Sequence, residues 1–284
     1  ASILVGIIYS LSLNLPDNFI TKSMGSKLLQ TGIVILGLSI SLTKAFSITG
    51  FYMPYISLLV IATFFLGIYI GKLIGLDKKL TILIASGAAI CGGTAMVAIA
   101  PIIQAKPKDL LTAISIIFLL NALAIIIFPI IGLHLGLSQD QFGAWAAMAI
   151  HDTSSVVGAA MVYGEEAVES AATLKLARTL WIIPLILYLS YKHQVKSSTK
   201  FQLPIFVIFF ILAIVIGTYI DFNSETMSFI KLISQSFLLL GLFCIGSQID
   251  KKVLSNISIK PLQLALILWI IIIPSSFLLI QAII

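Results

Sequence analysis

Apolar stretch follows apolar stretch along this chain, most near 20 residues long and parted only by short polar loops. A run of that length carries a helix across ~30 Å of hydrocarbon, where every backbone N–H and C=O must find its partner internally. The pattern predicts an all-α, polytopic integral membrane protein. Ten spans are expected, at 1–14, 28–46, 51–71, 80–104, 110–133, 142–163, 171–191, 203–220, 228–249 and 262–284. Only 10% of the residues are charged, against ~25% in a soluble domain. Little is left for a water-facing domain, so residues 1–284 read as a single transmembrane transporter domain.

The net charge of +6 is no nucleic-acid signal, because the lysines sit in short loops and act as topology determinants. One set of alternate loops holds Lys22, Lys27, Lys72, Lys78, Lys79, Lys192, Lys196, Lys200, Lys251, Lys252 and Lys260; the other holds Lys44, Lys106 and Lys108. The lysine-rich set is assigned to the cytoplasm, and the acidic loop with Glu165, Glu166 and Glu169 to the outside. Residue 1 then starts outside, and one further helix is expected upstream. Cys91 and Cys244 lie within spans and imply no disulfide framework.

Three charged residues remain inside the expected spans: Asp152, Lys175 and Arg178. Such residues cost at least ~2.5–3.5 kcal/mol each at a span centre and mark interior pathways. Two spans are also poor helices at their centres. Ala-Ile-Cys-Gly-Gly-Thr-Ala-Met-Val at 89–97 lies over Ala-Ile-His-Asp-Thr-Ser-Ser-Val-Val at 149–157, at a constant offset of 60. Glycine pairs and Asp-Thr-Ser-Ser runs favour breaks and caps over continuous helix. Internally repeated transporters place discontinuous helices at matching positions, where substrate binds. Two discontinuous helices near the midplane are therefore expected, although an offset of two spans does not by itself give an inverted repeat. A weaker echo joins Leu36-Gly37-Leu38 to Leu240-Gly241-Leu242.

Half-helix N-termini offer free N–H groups and a partial positive charge, which favour anions. Lys175 and Arg178, three apart on one helix face, add two cations, with Asp152 alone to offset them. The candidate substrate-binding residues are thus Gly92, Gly93, Thr94, Thr153, Ser154, Lys175 and Arg178, and the candidate coupling-ion residues are His151 and Asp152. Structural readings stand beside these. Asp152 could be a cap paired with Lys175 or Arg178, and Gly92-Gly93 a close-packing site. Asn121 reads as an interhelical hydrogen-bonder, Cys91 as a packing residue, and Gln235, Ser236, Ser247 and Gln248 as weak cavity-lining candidates.

Ile90-Cys91-Gly92 with Pro101, the 149–157 stretch, and Lys175-x-x-Arg178 with Pro184 together resemble motifs of the YeiH-type membrane proteins, a family labelled as sulfate exporters. The likeness covers essentially the whole chain. It departs where Asp152 stands in place of Glu and Ser155 in place of Gln. The resemblance implies kinship with the cation-antiporter and bile-acid-symporter superfamily, an inverted-repeat fold, and one more N-terminal helix. The expected function is ion-coupled secondary transport of a small anion (sulfate or another sulfur oxyanion, a sulfonate or an organic acid) across the inner, cytoplasmic membrane. No cofactor is expected beyond coupling to H+ or Na+. The expected partners are the anion, the bilayer and a second copy as a homodimer, with no nucleic acid and no metal. The rivals are a cation/proton antiporter with Asp152 as carrier, an anion channel, and an intramembrane hydrolase built on Cys91, His151 and Asp152.

Overall fold

The computed structural model describes residues 2–13, 20–193, 205–220, 222–247 and 258–283, and every regular element among them is an α-helix. In chain order these are α1 (Ser2–Leu13), α2 (Ile20–Gly37), α3 (Leu42–Leu73), α4 (Lys78–Ala89), α5 (Gly93–Ile99), α6 (Pro107–His134), α7 (Gln139–Ala149), α8 (Thr153–Tyr163), α9 (Glu165–Thr179), α10 (Ile182–Lys192), α11 (Ile205–Tyr219), α12 (Ser224–Gly246) and α13 (Ile259–Ile283). Among the described residues, five segments are long and apolar enough to cross a membrane: Leu42–Leu73, Pro107–His134, Glu165–Lys192, Ser224–Cys244 and Ile259–Ile283. The chain divides into two compact units, Ala1–Ile48 with Gln202–Ser255, and Thr49–Phe201 with Asn256–Ile284.

In the first unit α2 packs on α12 and α11, and α12 also packs on α1. Without a hydrophobic force to join helices in lipid, small residues let backbones approach and hydroxyls bond across them. Gly32 lies against Leu238, Gly241 against Leu29, and Ser234 Oγ donates to the Gly32 carbonyl at 2.8 Å. Gly37 and Gly241, the two glycines of the weaker sequence echo, are both such close-approach positions. The expected break at 46–51 falls instead at 38–41. There Thr218 Oγ1 accepts from the Leu42 N–H at 2.8 Å, and Gly217 leaves room for the Leu38 carbonyl. Residues 46–51 are helical throughout. Ser236 and Ser247 donate to carbonyls of their own helix, and Gln248 lies outside the described residues.

The second unit holds the two discontinuous segments, and here the expected topology changes. The run 80–104 does not cross; it enters and returns. Lys79 Nζ, at the start of α4, donates to the Gln104 carbonyl just beyond α5 at 2.7 Å. A straight helix would separate two residues 25 apart by ~37 Å. Met96 on α5 fills the space over Gly87 on α4, so the missing Cβ lets the arms close on each other. The run 142–163 does the same. The Glu166 N–H donates to Gln139 Oε1 at 3.0 Å, Tyr163 OH donates to the Leu137 carbonyl at 2.6 Å, and the Phe142 and Tyr163 rings stack at 3.9 Å. Both segments are re-entrant helical hairpins.

Local sequence sets each hairpin arm. Asp77 caps α4 by accepting from the Lys79 and Leu80 N–H groups. Ser138 and Gln141 form a capping box at α7. Gly164, at φ 156°, turns the chain from α8 into α9, whose first turn carries Glu165 and Glu166, charges that suit a helix N-terminus.

Pro107 starts α6 between the two hairpins, and its 28 residues span about 42 Å. The two hairpin bases therefore lie at opposite ends of α6, and the order hairpin then long helix occurs twice, as α4–α5–α6 and α7–α8–α9–α10. The breaks at 90–92 and 150–152 keep the 60-residue offset of the sequence echo. The first arms, α4 and α7, have 12 and 11 residues, or about 17–18 Å, which takes each tip just past the half-depth of a ~30 Å core.

Sidedness follows. Lys106 and Lys108 move to the face of Lys72, Lys78, Lys79, Lys192 and Lys260, while Asp140, Glu165, Glu166 and Glu169 occupy the opposite face. The lysines thus divide between the two faces more unevenly than the ten-crossing reading gave. His193, at the end of α10, lies on it too: burial first, then Lys78, Lys192 and Lys79, hold its imidazole below the ordinary range.

Candidate functional site

The two hairpin tips meet beside the middle of α6. Gly92 has φ 63° and ψ −125°, a conformation that a side chain would strain. A Cβ there would lie 3.4 Å from Ile117 Cγ2 and 3.5 Å from Asp152 Cβ, so the glycine also serves close approach. The Gly92 N–H reaches back to the Gly87 carbonyl at 2.9 Å and closes α4. In the second tip Ile150 and Asp152 are extended. Asn121, one turn along α6 from Ile117, accepts the His151 N–H on its Oδ1 at 3.3 Å.

Arg178 and Lys175, both on α9, are fully buried. Arg178 joins the C-terminal ends of the two entering arms. Nε donates to the Ala89 carbonyl at 2.9 Å and Nη2 to that of Ala88 at 2.9 Å, while Nη1 donates to Ala147 at 2.9 Å and Met148 at 2.6 Å. Lys175 Nζ donates to the Ile150 carbonyl at 2.6 Å and to Ala147 at 3.4 Å. Helix C-termini carry unpaired carbonyls and about half a negative charge each, and a planar fork of donors is suited to binding two of them at once. The break between α9 and α10 falls at 180–181, just past Arg178, where Pro184 cannot donate back to Leu180.

Asp152 caps α8. Its Oδ2 accepts from the Ser155 N–H at 3.2 Å, from Ser155 Oγ at 3.3 Å, and from Ser154 Oγ. The expected capping role is present. The carboxylate is held by its own helix start, and Lys175 and Arg178 are held by carbonyls rather than by Asp152. His151 is buried, and its ring makes no hydrogen bond beyond a marginal contact with the Ala88 backbone. Cys91, His151 and Asp152 are neighbours along the two tips, yet their side chains are not joined by hydrogen bonds as a nucleophile–base–orienter set would be. Among the described residues no group of three or more His, Cys, Asp or Glu could hold a metal ion.

The proposed site residues thus separate into two layers. Thr94 is exposed, and Gly93, Asp152 and Ser154 are partly so; around Gly93 a Cβ would meet open space. Gly92, His151, Thr153, Lys175 and Arg178 lie buried behind them. With both bases protonated, the formal and helix-end charges here sum to roughly +1: two cations and two N-termini against Asp152 and two C-termini. Asn121, read from the sequence as an interhelical bonder, is one, but only its Oδ1 is engaged; its Nδ2 is buried and unpartnered.

The family described as conserved hypothetical protein 698 matches residues 1–265. A UPF0324 membrane protein of Porphyromonas gingivalis is 41% identical over 275 residues, 95% of this chain and 83% of that one. One from Bacteroides thetaiotaomicron is 39% identical over 95% of this chain and 82% of its own. One from Photobacterium profundum is 43% identical over 86% of this chain and 74% of its own. No solved structure matches.

Proposed function

This chain belongs to the conserved hypothetical protein 698 family of UPF0324 membrane proteins, and from that premise we propose that it is a secondary transporter of a small anion, coupled to H+ or Na+. The observation that carries the reading is the junction of two oppositely directed re-entrant hairpins, whose tips meet at Gly92 and Asp152 beside a buried Lys175–Arg178 pair. Irregular backbone at membrane depth is tolerated where it is enclosed by protein or lines a cavity. A guest held between such tips can be released to either face by displacing one hairpin while the other stays shut, which is what alternating access requires.

In this reading Gly93, Thr94 and Ser154 cradle the anion, with Thr153 buried behind them. Lys175 and Arg178 supply positive potential from behind while tying the arms together. The substrate-contact role expected for those two cations becomes an indirect one, because four of the five Arg178 N–H donors are engaged by carbonyls. Asp152, partly exposed at the cap, takes the coupling ion, and His151 stands behind it. A cation/proton antiporter would have to move its ion past a net positive junction. A channel fits poorly with arms cross-tied by one guanidinium.

The test is solute flux in proteoliposomes that carry the purified chain. Uptake of sulfate, thiosulfate, a sulfonate or a carboxylate, driven by a proton or sodium gradient, is the expected result. Na+/H+ exchange without flux of any of these anions would overturn the proposal in favour of the antiporter.

A further inference from the structure

We infer that Asn121 is a ligand-contacting, specificity-determining residue of this site, and that its Nδ2 donates to an oxygen of a bound oxyanion. The inference rests on the anion-transporter reading and narrows its substrate class. Asn121 is 2% exposed and sits at the middle of α6, where that helix touches both tips. Its Oδ1 accepts the His151 N–H at 3.3 Å. A backbone N–H can only donate, so the amide orientation is fixed: the flipped form would set two donors against each other. The NH2 end is therefore directed elsewhere, and it is buried without a partner.

The contrast with its neighbours gives this weight. Asp152, Ser154, Ser155, Lys175 and Arg178 at the same junction are all hydrogen-bonded. Asn121 Nδ2 has no partner there, and the ring of His151, a residue 0% exposed, makes no hydrogen bond beyond a marginal contact with the Ala88 backbone. Buried polar groups left unpaired are costly, and native proteins keep few of them without a use. These two side chains, linked by the Asn121–His151 bond and adjoining the start of α8, form a built recognition surface. Its fixed element is a donor. That NH2 group has nothing to offer a bare cation, since it can only donate. An oxyanion carries acceptors on several faces and suits donors arriving from α6 and from the second tip.

Sulfate binding to the purified full chain in detergent, titrated at constant ionic strength with thermal-shift and calorimetric readouts, tests this. Loss of one hydrogen bond to a charged oxygen is expected to weaken sulfate about 10- to 100-fold in Asn121→Ala. Asn121→Asp, equal in shape but presenting an acceptor, should abolish detectable binding. A purely structural role for Asn121 would lower the melting temperature of the ligand-free protein and leave sulfate affinity in place. Should Asn121→Asp fail to give monodisperse protein, Asn121→Ala decides alone. Sulfate affinity within twofold of wild type in Asn121→Ala overturns the inference and leaves the anion reading standing. Wild-type protein that binds none of sulfate, phosphate and acetate overturns both.

Discussion

Changing Arg178 to lysine keeps the positive charge and removes the fork. The guanidinium spans two helix ends, with Nε and Nη2 on Ala89 and Ala88 of α4 and Nη1 on Ala147 and Met148 of α7. A single ammonium on a shorter reach can serve one end but not both, so two carbonyls lose charge-assisted bonds inside a fully buried junction. Bonds to charged groups are worth about 1.5–3 kcal/mol each, which puts the loss at about 3–6 kcal/mol. Domains of 150–250 residues shift by roughly 2–4 °C per kcal/mol, so the melting temperature should fall by about 6–24 °C. Intrinsic fluorescence in detergent reads this directly, since Trp145 and Trp269 lie in the same unit, each with its ring near Phe128. Arg178→Lys melting within about 1 °C of wild type would refute the idea that one guanidinium tethers both hairpins.

Three further outcomes are expected. Gly92→Ala should cost about 1–3 kcal/mol through its positive-φ backbone and slow anion flux, as measured by melting and by proteoliposome uptake; a variant indistinguishable from wild type in both would contradict the tip geometry. Asp152→Asn should still cap α8 and bind the anion, but lose the dependence of anion affinity on pH or sodium, which titration in both forms checks; an unaltered dependence would move coupling to another residue. Lys79→Met, which removes the bond to the Gln104 carbonyl at the exposed base of the first hairpin, should cost no more than about 1 kcal/mol and leave sulfate affinity unchanged. A large affinity loss there would mean that the hairpin base, and not only its tip, shapes the site.

The sequence showed the breaks clearly but not the direction the chain takes through them. Ile90-Cys91-Gly92 and Ile150-His151-Asp152 were legible because glycines and short polar residues at the centre of an apolar run can hardly be continuous helix. Their 60-residue offset survives intact in the structure. The reversal was hidden because the runs 80–104 and 142–163 are each long enough to cross, and hydropathy counts length without sensing a turn. The lysines held a usable signal. Placing Lys106 and Lys108 with Lys78 and Lys79 sharpens the charge asymmetry, and only a re-entrant 80–104 segment allows it.

Arg178 shows the other limit. Its burial was foreseeable from one arginine within a span, but its bonding was not. The carbonyls it meets belong to residues 30 to 90 positions away, on two helices whose ends converge only in the folded unit. The same holds for Asn121, whose engaged oxygen and idle nitrogen are set by the His151 N–H.

Sided labelling of single-cysteine variants in oriented membranes tests the re-entrant junction most directly. The native Cys91 and Cys244 are both buried and can be replaced by serine. The account predicts that Lys78→Cys and Lys106→Cys react with a membrane-impermeant maleimide from the cytoplasmic side, and Gln139→Cys and Glu166→Cys from the other. Reaction of Lys78→Cys and Lys106→Cys from opposite sides would show that the segment crosses, and would contradict the paired hairpins on which the proposed transport site depends.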